Sequence, residues 1–194
     1  MNKLFALILA IVMLFVGYIK TTHIPVEPTK PAISIVKPDG TGVLIKKKTI
    51  NHRGLHTFLH KLGKMESKNN YEVVSSAGFL GRYQFHPRTI RAMGFKLSQK
   101  EFLNNPEIQD KVMLAFMRDN RRSLKPLIRK YDGKMVNGVR VTESGILAAA
   151  HLAGVGGVLS WFYPEKYQYK VVDANGASVA MYMKKFGGIQ LGDI

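Results

Sequence analysis

Glu66 is the residue best suited to chemistry. Leu55, Leu59 and Leu62 recur at helical spacing, and extending those rows by seven and four residues reaches position 66, which turns a carboxyl toward an apolar interior. Burial disfavours an ionised carboxyl, so an inward glutamate without a dedicated cation is a candidate general acid. The structural alternative is a helix-ending Glu that caps the next loop or pairs with Lys64 or Lys68. Its company favours chemistry: Ser67 follows directly, and the glycine-spaced segment Gly78-Phe79-Leu80-Gly81-Arg82-Tyr83-Gln84 comes shortly after. Gly78 and Gly81 permit backbone angles or close approaches that bring Tyr83 and Gln84 beside Glu66; a plain tight turn is the alternative.

The elements that must position these groups are mostly helical. A first helix is expected from about His52 to Glu66, and a second from Pro87 to near Gly94. Ser98 and Glu101 have capping-box spacing, and Asn105-Pro106 opens a long helix that Pro126 breaks. Asn137-Gly138 between β-favouring residues predicts one small hairpin over 135–141. Thr142 caps the next helix, which carries Ala148-Ala149-Ala150, and Val179, Tyr182, Met183 and Phe186 form a last amphipathic helix closed by Gly187. Ala153, Gly154, Gly156 and Gly157 mark the end of one helix and the start of another at Val158. Tight packing explains such a cluster; a ligand-facing wall is the sharper reading.

The chain has 194 residues, 46% of them hydrophobic, enough for one ordinary core. Its 29 Lys and Arg against 13 Asp and Glu give a formal charge of +16, so its natural partners are polyanions. Basic residues are dispersed, with short clusters at 46–48, 121–122 and 184–185 and no nucleic-acid module, so nucleic acid is not expected as a partner. Cysteine is absent, which excludes disulfides and thiolate metal sites. Leu4 to Ile19 is a nearly unbroken apolar run of roughly 16 residues after Lys3. It reads as an uncleaved signal anchor over 1–20, with a cleaved signal peptide as the alternative. Pro25, Pro28, Pro31 and Pro38 then make 21–50 a semi-extended spacer, and 51–194 the folded domain.

Taken in order, Glu66-Ser67, Gly78-x-x-Gly81-x-Tyr83-Gln84, Asn105-Pro106 and a small-residue helix ending Ala153-Gly154 resemble the soluble-type lytic transglycosylases of the goose-lysozyme-like superfamily. The resemblance spans about Leu55 to Phe162. It implies a mainly α, lysozyme-like α (α+β) domain with one small hairpin, here preceded by a hydrophobic N-terminal helix. It also implies cleavage of the bond between N-acetylmuramic acid and N-acetylglucosamine in peptidoglycan, with Glu66 as acid and then base, and 1,6-anhydromuramoyl ends as product. In that setting Gln84 suits an acetamido group, Tyr83 orients Glu66 or packs on a sugar face, and Ser67 bonds the carboxylate or its helix end. Where the family commonly has Tyr-Asn, this chain has His151-Leu152. His151 replaces a Tyr hydroxyl in the cleft wall or is a core histidine, and Leu152 cannot replace a carboxamide.

The implied partners are peptidoglycan glycan strands, the membrane through the N-terminal segment, and a larger envelope-spanning or phage assembly; the domain would face the periplasm or cell wall. No cofactor or metal is implied. A two-carboxylate hydrolase has only Glu72 and Glu143 to offer as a second group. His52, His56 and His60 recur at i, i+4 and i+8, but a zinc peptidase lacks its expected His-Glu-x-x-His motif. Trp161 and Phe162 pack in the core or stack on a sugar. A muramidase, or an inactive tethered wall-binding scaffold, are the remaining alternatives.

Overall fold

The computed structural model describes residues 52–194, and the expected anchor and spacer lie outside the described residues. Helix α1 (His52–Ser67) buries Phe58 and Leu62 completely, while Leu55 and Leu59 flank them half-buried. The buried row therefore runs 58, 62, and Glu66 continues it by one more turn. Past Ser67 the chain turns through Lys68 and Asn69, both left-handed at φ 58° and 63°, and the Asn69 amide closes back on the Gly63 carbonyl at 2.9 Å. Two non-glycine residues in that region cost on the order of 1–2 kcal/mol each.

Most local signals hold. Helix α2 (Pro87–Ala92) starts at His86, whose ring accepts the Arg88 amide, and α3 (Gln99–Leu103) carries the complete Ser98–Glu101 capping box. Asn105 caps α4 (Pro106–Ser123). The long helix does break just ahead of Pro126: it ends at Ser123, Leu124 forms a joint, and α5 (Lys125–Tyr131) starts there with Pro126 in its first turn, where a missing amide proton is harmless.

The hairpin pairs β1 (Met135–Val136) with β2 (Val139–Arg140) in antiparallel register, Met135 opposite Arg140 and Val136 opposite Val139. Asn137 and Gly138 both have positive φ, as the mirror-image two-residue turn requires.

Helix α6 (Glu143–Phe162), capped by Thr142, is the centre of the domain. By length and composition it could cross a membrane, yet half of it is buried inside this protein, with α4 against one side and α7 (Val179–Phe186) against another. The small-residue cluster does mark the join of two helical stretches, which meet at a kink on Gly154 (φ 67°, ψ 176°), four residues before the expected Val158. A methyl at Gly156 would stand 3.0 Å from the Tyr169 ring, and one at Gly157 would stand 2.9 Å from the Lys170 carbonyl. Those two glycines admit the returning 163–178 segment. Helix α7 ends at Gly187, but the left-handed residue is Gly188 (φ 79°). Phe58 meets Phe186 at 5.2 Å between ring centroids, which brings α1 onto α7. The described architecture is mainly helical, with one two-stranded sheet among the described residues.

Candidate active site

Glu66 stands in the last turn of α1, with its side chain 18% exposed. It is a carboxyl at the rim of the core rather than one sealed within it. Neither Lys64 nor Lys68 is its partner. The Tyr182 hydroxyl, on α7, donates to Glu66 Oε1 at 2.7 Å, and His151 Nε2, on α6, lies 3.8 Å from the same oxygen. Burial, and then the nearby Glu66 carboxylate, push the Tyr182 phenol well above its ordinary range, so it stays a donor throughout the physiological range. Residue 182 belongs to the amphipathic face with Val179, Met183 and Phe186. A tyrosine in that apolar row, whose hydroxyl needs a partner, was the only signal of its role.

The His151 side chain is 6% exposed. Phe85 and Phe116 stand edge-on to its ring at 5.4 and 5.8 Å, and its Nδ1 and Asn120 Nδ2 are buried polar atoms without a hydrogen-bond partner among the described residues. Desolvation pulls its pKa below 6.5, opposed by the Glu66 carboxylate. The ring is therefore neutral at pH 7. It lines the inner side of the Glu66 site and is not an open wall.

The glycine loop is a closed turn. Leu80 and Phe85, both buried, exchange two backbone hydrogen bonds (2.9 and 3.0 Å), and the Gly81 amide donates to the Val73 carbonyl. Gly81 (φ 68°) also has no room for a side chain, because a methyl there would fall 2.1 Å from Gln109 Oε1. That oxygen accepts the Arg82 amide at 2.9 Å, while Gln109 Nε2 donates to the Tyr71 and Phe102 carbonyls. Gln84, left-handed at φ 50°, turns its carboxamide back to the Gly81 carbonyl at 2.8 Å.

The loop's other polar side chains face inward. Tyr83 is fully buried and its hydroxyl donates to Asp110 Oδ1 at 2.7 Å, so it orients Asp110 and not Glu66. Burial and then that hydrogen bond push its phenol far up. Arg82 completes the network through Asn69 (3.0 Å), Tyr71 (2.5 Å) and Asp110 (3.3 Å), passing over Gly63, where a methyl would come 2.6 Å from Arg82 Nε. Ser67 does not touch the carboxylate; its Oγ donates to the Arg82 carbonyl at 2.8 Å and accepts the Asn70 amide at 3.0 Å. It fastens the end of α1 to the loop.

Of the expected site residues, the structure joins His151 directly to Glu66 and gives Ser67, Gly81 and Tyr83 to the scaffold beneath. Gln84 is the expected loop side chain left half-exposed. Glu143 is held by Arg121 in a two-pronged pair (2.6 and 3.0 Å), and Glu72 is exposed. Trp161 and Phe162 form an aromatic cluster with Tyr131 beyond the kink of α6. His56 and His60 stack at 6.4 Å, and no three His, Asp or Glu side chains converge on a metal-sized site among the described residues.

A part-exposed carboxyl with one oxygen engaged by a phenol, and no hydrogen bond to the other among the described residues, suits proton delivery to a bound ligand. No protein-family model, curated protein or solved structure matches the chain.

Proposed function

We propose that the chain is a peptidoglycan lytic transglycosylase with a lysozyme-like helical domain and Glu66 as its single acid and base. The observation that carries this reading is the geometry at Glu66. Oε1 is held by the Tyr182 hydroxyl at 2.7 Å, and the Glu66 side chain keeps 18% of its surface exposed at the rim. In the first step the Glu66 proton passes to the glycosidic oxygen as the bond from the muramic C1 to that oxygen breaks, with the substrate's own acetamido group assisting departure. In the second, the Glu66 carboxylate takes the proton of the muramic C6 hydroxyl while O6 bonds to C1. The glutamic acid is regenerated and no water is consumed.

A neutral His151 supports this cycle because it leaves Glu66 free of a competing cation that would hold it ionised. Gln84, half-exposed beside the loop, is the residue proposed to meet the acetamido group. The N-terminal apolar run would tether the domain to the membrane facing the wall.

The experiment is mass spectrometry of muropeptides released from purified peptidoglycan by wild-type protein and by Glu66→Gln. Anhydromuramoyl ends are expected from the first and none from the second. Reducing ends alone would mean hydrolysis, and equal binding without release by both proteins would mean a wall-binding scaffold.

A further inference from the structure

The joint between α4 and α5 carries a feature that glycan cleavage leaves unused. Arg118, Arg122, Lys125 and Arg129 follow one another at spacings of four, three and four residues, so they share one face of the two consecutive helices. With Arg121 they line a single cavity of about 390 Å³. Two acids answer these five cations: Glu143 grips Arg121 through both oxygens, and Asp119 pairs with Arg122. Arg118, Lys125 and Arg129 have no acidic partner among the described residues.

Like charges held on one helical face repel, and a concave, low-dielectric wall concentrates their field instead of dispersing it. Glu143 binds Nε and Nη2 of Arg121, leaving Nη1 uncommitted on a guanidinium that is itself held in place. Guanidinium forks match oxyanions through paired hydrogen bonds. A carboxylate has two oxygens and one charge, whereas a phosphate monoester carries up to two charges and three terminal oxygens, enough to reach donors from both helices together. The cavity also exceeds the volume of one phosphate, and Ile128 gives it an apolar side.

We propose that this cavity is a binding site for a phosphate ester, held chiefly by Arg118, Arg129 and Lys125 with Arg121 fixed by Glu143. Glu66 plays no part in it. The ester comes either from an anionic lipid headgroup or from a soluble phosphate compound.

The test uses the full chain in neutral detergent micelles, titrated calorimetrically with glycerol 1-phosphate and with inorganic phosphate. Saturable binding is expected, weakened at least tenfold in Arg118→Gln/Arg129→Gln and changed less than twofold in Lys100→Gln/Lys111→Gln, which removes equal charge outside the cavity. Arg118→Lys/Arg129→Lys, which keeps charge but loses the forks, falls between them. If the glutamine pair lowers the melting temperature, Lys125→Gln alone should still weaken binding severalfold. Vesicles distinguish the sources. A gain in binding on adding phosphatidylglycerol to phosphatidylcholine, lost in the glutamine pair, identifies the headgroup; equal gains with retained glycerol phosphate binding identify a soluble ester. No saturable binding, or equal losses in the two charge-matched double variants, would overturn the site.

Discussion

Two polar clusters meet at the glycine loop, and they are wired in opposite ways. Beneath the loop, Arg82, Tyr83, Asp110 and Gln109 are interlocked: Tyr83 and Arg82 converge on Asp110, and Gln109 bridges three strands of backbone. Above it, among the described residues, Glu66 has one hydrogen bond, from Tyr182, and one further polar neighbour at 3.8 Å, His151, whose far nitrogen is unsatisfied. Buried polar groups are nearly always paired, so the first cluster is what a protein builds to hold a shape. The second departs from that habit around one carboxyl, which is the pattern the proposed acid and base role requires.

Mutations should separate the two. The largest effect expected is on cleavage: Glu66→Gln lowers muropeptide release roughly 10²–10⁴-fold, the range for loss of a general acid, with thermal unfolding almost unchanged. Gln109→Leu should do the reverse, destabilising the domain by about 3 kcal/mol because several buried backbone groups lose partners, as read by urea unfolding. A pair of phenol deletions sharpens the contrast. Tyr182→Phe should reduce kcat/KM about tenfold or more, the value of a hydrogen bond to a charged group, while stability shifts little; Tyr83→Phe should cost about 1–2 kcal/mol of stability with activity per folded molecule retained. Equal behaviour of the two variants would erase the distinction between the clusters.

The smallest effect is on pH dependence. The folded pKa of His151 lies below its ordinary 6.5, so the unfolded chain takes up that proton first as pH falls. This contribution to stability is complete above about pH 6.5 and declines below it, by at most about 1.4 kcal/mol per pH unit, until the folded ring also protonates. Denaturant midpoints between pH 7.5 and 5 should fall more steeply in wild-type protein than in His151→Phe.

What was legible in the sequence was local. The Ser98–Glu101 box, the Asn105 and Thr142 caps and the Asn137-Gly138 turn each act within four residues, so their chemistry is readable in the string. Pro126 was legible as the break of the long helix, while its second part, in the first turn of the next helix, was not. The small-residue cluster marked the join of two helical stretches in the string, and only its exact place, Gly154 rather than Val158, needed the fold. Gly63 gave no sign of its part, since it is the close approach of the Asn69 and Arg82 side chains that requires it. Tyr83 and Tyr182 exchanged expected roles for a similar reason: a phenol's type announces a need for a partner, and only the fold decides which acid supplies it.

The bond between Tyr182 and Glu66 joins residues 116 positions apart. During synthesis at roughly 5–20 residues per second, the glutamate exists for on the order of ten seconds before the hydroxyl that holds it has been made. The α1 row and the glycine loop can collapse in that interval, whereas the acid lacks its holder until α7 arrives.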